Sequence, residues 1–176
     1  MRFIETGLAG AWLIEPEPVA DARGMFARTF CERELAAHGV QFRIVQCNTS
    51  FNAKRDTLRG MHYQEGAHAE QRIVRCTAGA IYDVIVDLRP GSPTRRKWFG
   101  AELTARNRHM MYVPVGFAHG FKSLEDDAEV FYLMSAFYAP EAARGVRWDD
   151  PALGIRWPGG APILSERDRG YPLLGA

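Results

Sequence analysis

Turn-forming residues interrupt this chain too often for long helices. Gly7-Leu8-Ala9-Gly10, Asp21-Ala22-Arg23-Gly24, Gly60, Gly66, Ala78-Gly79, Pro90-Gly91-Ser92-Pro93, Pro114-Val115-Gly116 and Gly120 punctuate it from residue 7 to residue 120. Between them lie short runs rich in β-branched and aromatic residues: Arg72–Cys76, Ala80–Leu88, Trp98–Leu103, Met110–Val113 and Val130–Met134. Such residues suit a pleated, half-buried surface, and many short strands separated by turns read as a sandwich or barrel. Within Ile81–Leu88, Tyr82, Val84, Val86 and Leu88 form one apolar face, while Asp83 and Asp87 share the other with two isoleucines. One helix is expected over Phe30–His38, ending at Gly39, a residue suited to a left-handed cap. The tail from Pro140, with Trp148-Asp149-Asp150-Pro151 at its centre, reads as an ordered wrap with one short helical turn. The expected architecture is an all-β barrel with minor helix.

The length of 176 residues fits one domain, 1–176, and the balance of 47% apolar to 24% charged residues is that of a globular chain. Twenty-two Lys and Arg against 21 Asp and Glu give a net charge of +1. This balance supplies no general attraction to nucleic acid or to an anionic membrane surface. Three widely spaced cysteines, Cys31, Cys47 and Cys76, suggest free thiols in a reducing cytoplasm. The first residues offer only Arg2 as a basic leader and are broken by Glu5 and Glu15, which does not read as a signal peptide.

Histidine is scarce, so each of the five has weight. His62, in Leu58-Arg59-Gly60-Met61-His62-Tyr63-Gln64, and His119, in Pro114-Val115-Gly116-Phe117-Ala118-His119-Gly120, lie in glycine-containing stretches beside expected strands. There a side chain can be aimed into a barrel mouth. His38 reads as a helix-end residue stabilised by the dipole, His109 as surface, and His68 as part of an exposed loop. A metal site would need His62, His68, Glu70 and His119 to converge, yet no His-x-His pair or Cys-x-x-Cys spacing is present. Without metal, a pocket histidine serves best as a general base near neutral pH. Asp83, Asp87 and Asp168 are candidate orienters for it, Tyr132 and Tyr138 candidate acids, and Arg59, Arg72 and Arg75 candidate anion stabilisers. Residue types and spacing alone reach a polar pocket and name no reaction.

Several segments in order resemble the dTDP-4-dehydrorhamnose 3,5-epimerase family of nucleotide-sugar epimerases, within the cupin superfamily. They are Asp21-Ala22-Arg23-Gly24-Met25-Phe26, Gln46-Cys47-Asn48, the Leu58–Gln64 run and Gln71-Arg72-Ile73-Val74-Arg75-Cys76. They continue through Asp83–Arg89 with Gly91-Ser92-Pro93, Pro114–Phe121, Tyr138-Ala139-Pro140-Glu141, Gly145–Pro151 and Leu164-Ser165-Glu166-Arg167-Asp168. The resemblance implies a double-stranded β-helix, or jelly-roll barrel, acting as a homodimer without metal or organic cofactor. It implies a nucleotide-linked 4-keto-6-deoxyhexose as substrate, inverted next to its ketone. His62 would be the base, Asp168 the holder of its tautomer with Asp83 in support, and Tyr132 the acid on the other face. Arg72 stands where the family usually has lysine and would stabilise the enolate. Substrate contacts would come from Gln46, Asn48, Arg59, His119, Tyr138 and Arg167, with Arg23 and Phe26 reaching the nucleotide across the dimer. Arg28 replaces a glutamate found in many dTDP-specific relatives, which opens CDP- or GDP-linked sugars as alternatives. A C3- or C5-only epimerase and a non-catalytic sugar-nucleotide binder are the other readings.

Overall fold

The structure, a computed structural model, describes residues 1–175. Along the chain come β1 (Arg2–Glu5), β2 (Trp12–Glu15), β3 (Val19–Asp21), β4 (Gly24–Phe26), α1 (Glu32–Ala37), β5 (Gln46–Asn52) and β6 (Leu58–Gln64). They are followed by β7 (Arg72–Ala78), β8 (Ala80–Asp87), β9 (Trp98–Thr104), β10 (Met110–Val113), β11 (Phe117–Ser123), β12 (Ala128–Met134), β13 (Ala143–Gly145) and α2 (Glu166–Arg169). Six strands form one sheet in the order β1-β2-β10-β7-β12-β5, five form a second in the order β13-β6-β11-β8-β9, and β3-β4 is a separate hairpin. From β5 to β8 the chain alternates between the two large sheets, and all strand pairings are antiparallel. This is the jelly roll expected from the sequence.

Apolar side chains fill the space between the sheets. Val74, Cys76, Met111, Val113 and Val130 from the larger sheet meet Ile81, Ile85, Leu103, Phe117 and Phe121 from the smaller one. Two further clusters cover the outer faces. Leu35 of α1 packs with Val40, Phe42, Ile14, Ile73 and Tyr112, whereas Val146 and Leu153 of the tail pack on Met61, Val84, Val86 and Ala118. The helix is shorter than Phe30–His38 because Cys31, at its N-cap, offers no side-chain bond to the free amides. Phe30 instead packs edge-on to Phe42 at 6.1 Å. The C-terminal end is as expected: Gly39 sits at φ +76° and its N–H reaches the Ala36 carbonyl. The tail's helical turn is α2. No helix among the described residues is long and apolar enough to cross a membrane.

The mixed face of β8 points inward, so both aspartates are fully buried. A buried carboxylate is tolerable only when paired. Asp87 accepts Arg89 N–H at 3.0 Å, Arg89 Nε at 2.9 Å, Arg89 Nη2 at 2.8 Å, Ser92 Oγ at 2.5 Å and Thr94 Oγ1 at 2.7 Å. It ties down the Pro90–Pro93 turn, and Arg89 extends the tie to the Ala9 carbonyl at 2.7 Å. Asp87 is therefore a structural anchor rather than an orienter of a catalytic histidine. Burial alone would raise its carboxyl pKa, but the Arg89, Ser92 and Thr94 bonds outweigh that and hold it far below the usual carboxylate range. The folded-state pKa is depressed, so the contribution to stability is full above the unfolded value and is lost as pH falls. Asp87→Asn should cost about 3 kcal/mol at neutral pH by urea denaturation. The gap from the wild type should narrow below about pH 4. An equal gap at pH 7 and pH 3 would refute the charge-based account.

Candidate active site

Two glycines decide how β6 meets β11. A Cβ on Gly60 would lie 2.6 Å from the Gly120 Cα, and one on Gly120 would lie 2.8 Å from the Arg59 carbonyl oxygen and 2.7 Å from the Met61 sulfur. Gly60 also sits at φ +142°, where other residues are strained. The close approach sets His62 directly across from His119, and a register shift follows between His119 and Phe121. Cross-strand partners share a face, so both imidazoles point the same way.

They point to different surroundings. A cavity of about 340 Å³ opens between the sheets beside His62. Gln46, Asn48 and Ser50, on alternate positions of β5, line it with Arg72 of β7, Tyr132 of β12, Tyr138 from the loop after β12, Arg144 of β13 and Arg167 of α2. His62 keeps 35% of its side chain exposed, and its Nε2 lies 2.6 Å from Asp168 Oδ1. Asp168 is buried on α2, where Ser165 Oγ accepts its N–H at 3.1 Å. With Nε2–H donating to the carboxylate, Nδ1 of His62 carries the free lone pair.

His119 is occupied on both nitrogens. Its Nε2 bonds Asp83 Oδ1 at 2.7 Å, and its Nδ1 accepts from Arg72 Nη1 at 3.5 Å. Asp83 thus supports His119, not His62, contrary to the expectation from sequence. Its second oxygen is buried without a hydrogen-bond partner among the described residues. Arg72 is held by Glu70, whose Oε1 accepts Nε at 3.0 Å and Nη2 at 2.5 Å, while Gln64 donates to Glu70 Oε2 at 2.8 Å. Burial, reinforced by Asp83, pushes the Tyr132 hydroxyl well above its ordinary pKa against the opposing Arg72 and Arg59, so it stays protonated. The His62 lone pair, the Tyr132 phenolic proton and the Arg72 guanidinium thus face a single cavity, with His62 and Tyr132 on different sheets.

Seven of the residues expected from sequence line that cavity: Gln46, Asn48, His62, Arg72, Tyr132, Tyr138 and Arg167. Arg59 is exposed nearby, its Nε 2.8 Å from Asn52 Oδ1. Arg23 and Phe26 stand on the β3–β4 hairpin, with Phe26 76% exposed, and do not line the cavity. Arg28 is exposed and bonded to Glu34 at 2.6 Å, also away from it. Arg75 lies on the opposite face of β7 from Arg72, because three residues along a strand reverse the side. His109 is half-buried beside Glu15 rather than on the surface. His68 is exposed, 3.9 Å from Glu141, and Glu70, although it lines the cavity with His62, is committed to Arg72 and Gln64, so among the described residues these two form no metal-ligating cluster with His62 and His119. The partnership of Glu70 with Arg72 was not anticipated, although two residues apart on an extended chain face the same way.

The profile of the dTDP-4-dehydrorhamnose 3,5-epimerase family matches residues 5–175. The chain belongs to this family. It is 47% identical over 173 residues to the dTDP-4-dehydrorhamnose 3,5-epimerase of Pseudomonas aeruginosa, covering 96% of this chain and 93% of that one. The crystal structure of the Bacillus anthracis enzyme of that name, with TDP and PPi bound, superposes with a TM-score of 0.94 at 42% identity, covering 98% of this chain and 99% of that one. A dTDP-4-dehydrorhamnose 3-epimerase of Streptomyces niveus is 40% identical over 175 residues, 99% of this chain and 84% of that one. In this chain the Gly60–Gly120 contact between β6 and β11 holds the two histidine strands in place. Gly120→Ala drives a Cβ into a backbone oxygen that cannot yield, and overpacking of this kind costs about 1–3 kcal/mol. A lowered melting temperature together with weaker nucleotide-sugar turnover is expected, and unchanged values would remove the close approach as a determinant.

Proposed function

We propose that this protein inverts C3 and C5 of dTDP-4-keto-6-deoxy-D-glucose, as one epimerase-type domain in dTDP-L-rhamnose or related deoxysugar biosynthesis. The observation that carries the reading is the pairing of a His62 lone pair and a Tyr132 proton on opposite sheets of one cavity that also holds a guanidinium. C3 and C5 both flank the C4 ketone, so removal of either proton gives an enolate with charge on the same oxygen. Inversion then requires a proton from the other face. His62 Nδ1 takes the proton, and Asp168 stabilises the imidazolium that forms. Arg72 offers N–H groups to the enolate oxygen but cannot itself supply a proton. Tyr132 returns a proton from the far side. Every step lies within the reach of side-chain acids and bases.

Incubation with this substrate in D₂O, followed by NMR, should show deuterium at both C3 and C5. Uptake at one carbon alone would favour a single-site epimerase, the activity named for the Streptomyces niveus relative. His62→Ala should abolish exchange, a loss of about 10²–10⁴-fold at least. Tyr132→Phe should leave exchange at one carbon and impair inversion. Full activity of His62→Ala would sink the mechanism.

The nucleotide end of the site is proposed to be completed by a second copy of the chain, in the cytoplasm where the three free cysteines stay reduced. Support comes from the β3–β4 hairpin, which presents Val19, Met25 and Phe26 to solvent at 74%, 43% and 76% exposure, together with Arg23. Aromatic and guanidinium groups suit a base and a diphosphate. Phe26→Ser should raise KM for the nucleotide sugar with little change in kcat, and sedimentation of the wild type should give a dimer. A monomer with full affinity for substrate would overturn this part.

A further inference from the structure

The tail that carries Asp168 to His62 also carries Tyr171, which the chemistry above does not use. The Tyr171 ring lies 5.6 Å from the His62 ring at an interplanar angle of 63°, an edge-to-face contact. It fills the place that a side chain at residue 145 would take: a Cβ on Gly145 would stand 2.5 Å from its Cζ and 2.6 Å from both Cε atoms. Gly145 is the cross-strand partner of His62 on β13. No positive φ requires a glycine there. Space does, and the space is used by an aromatic ring against the histidine. The Tyr171 hydroxyl is buried and meets no partner at good hydrogen-bond geometry among the described residues, while the Arg167 guanidinium stands over the ring, 5.7 Å from its centroid. The ring, not the hydroxyl, therefore makes the contact that counts.

A single hydrogen bond fixes the position of Nε2 but leaves the imidazole free to rock about the line to Asp168. A flat neighbour on the flank of the ring removes that freedom. We propose that Tyr171 is a positioning residue for His62, closing the flank of the imidazole so that Nδ1 keeps its aim at the reacting carbon. The inference rests on His62 being the base. Displacing a reacting group by about 1 Å can cost about 10²-fold in rate, so the effect should fall on kcat.

Tyr171→Leu keeps apolar bulk but removes the plane, and Tyr171→Phe keeps the plane and removes only the unpartnered hydroxyl. Tyr171→Phe should hold kcat within about twofold, while Tyr171→Leu should lose about 10- to 100-fold in kcat with KM within about twofold. Gly145→Ala drives a Cβ into the ring and should give the same kcat loss with Tyr171 in place. The His62 imidazole proton resonances, identified by their disappearance in His62→Gln, should keep their ring-current shift in Tyr171→Phe and lose it in Tyr171→Leu. Retention of kcat in Tyr171→Leu, a defect confined to KM, or equal damage in Tyr171→Phe would overturn the proposal. If the wild type exchanges no deuterium at all, the epimerase reading fails. The resonances still report whether Tyr171 holds His62.

Discussion

Where Gly60 passes Gly120, backbone stands so close to backbone that no side chain fits on either residue. From that contact follows the alignment of His62 with His119 and the shift in register just beyond it. The two histidines begin as equivalent neighbours on one face of one sheet. Their differing roles come from what the rest of the chain brings to them. The tail delivers Asp168 to the outer histidine and leaves one of its nitrogens open to the cavity. β8 and β7 deliver Asp83 and Arg72 to the inner one and leave it none. A histidine saturated on both nitrogens acts as a strut, whereas one with a free lone pair can take a proton.

The tail earns that role only because it is held at several points. Lys122 is buried on β11, and its ammonium donates to the Pro158 carbonyl at 2.8 Å and the Gly160 carbonyl at 2.5 Å while pairing with Asp56 at 2.9 Å. All three of its donors are used, which is the condition for burying an unbranched ammonium without a large penalty. Just beyond, Ile163 bridges to Thr57, its N–H bonding the Asp56 carbonyl at 2.8 Å. Ser165 then caps the short helix that presents Asp168. The wrap is thus fastened to β11 and to the entry of β6, the same two strands that carry the histidines. Packing and catalytic geometry share one set of anchors.

Much of this was legible from residue types. The runs 72–76, 80–88, 98–103, 110–113 and 130–134 are strands because β-branched and aromatic residues leave little else open to short segments between turns. Two turns of parity were also open to reading. Arg75 had to face away from Arg72, and the aspartates of β8 had to share a face with Ile81 and Ile85. Which histidine Asp83 serves was not open to reading, because that depends on the register of β8 against β11, where Asp83 lies opposite Phe121. Register between strands distant in sequence is set by turns and packing together. The same holds for Tyr171, whose meaning appears only when β13 brings Gly145 beside His62.

The arginine at residue 72 has a consequence visible in its bonds. A guanidinium has five N–H donors. Three are spent, two on Glu70 and one on His119, and that leaves two. Glu70 also balances the charge of Arg72, and Asp83 and Asp168 add further negative charge close by. The charge of Arg72 itself is therefore largely balanced by Glu70 before any enolate forms. What remains is a pair of N–H groups locked in direction by Glu70 and His119, already aimed before any charge develops. Fixed dipoles of that kind stabilise a developing oxyanion without reorganising. Within the proposed mechanism, the Glu70–Arg72–His119–Asp83 chain is the support that would let an arginine, with its charge already balanced, do the electrostatic work.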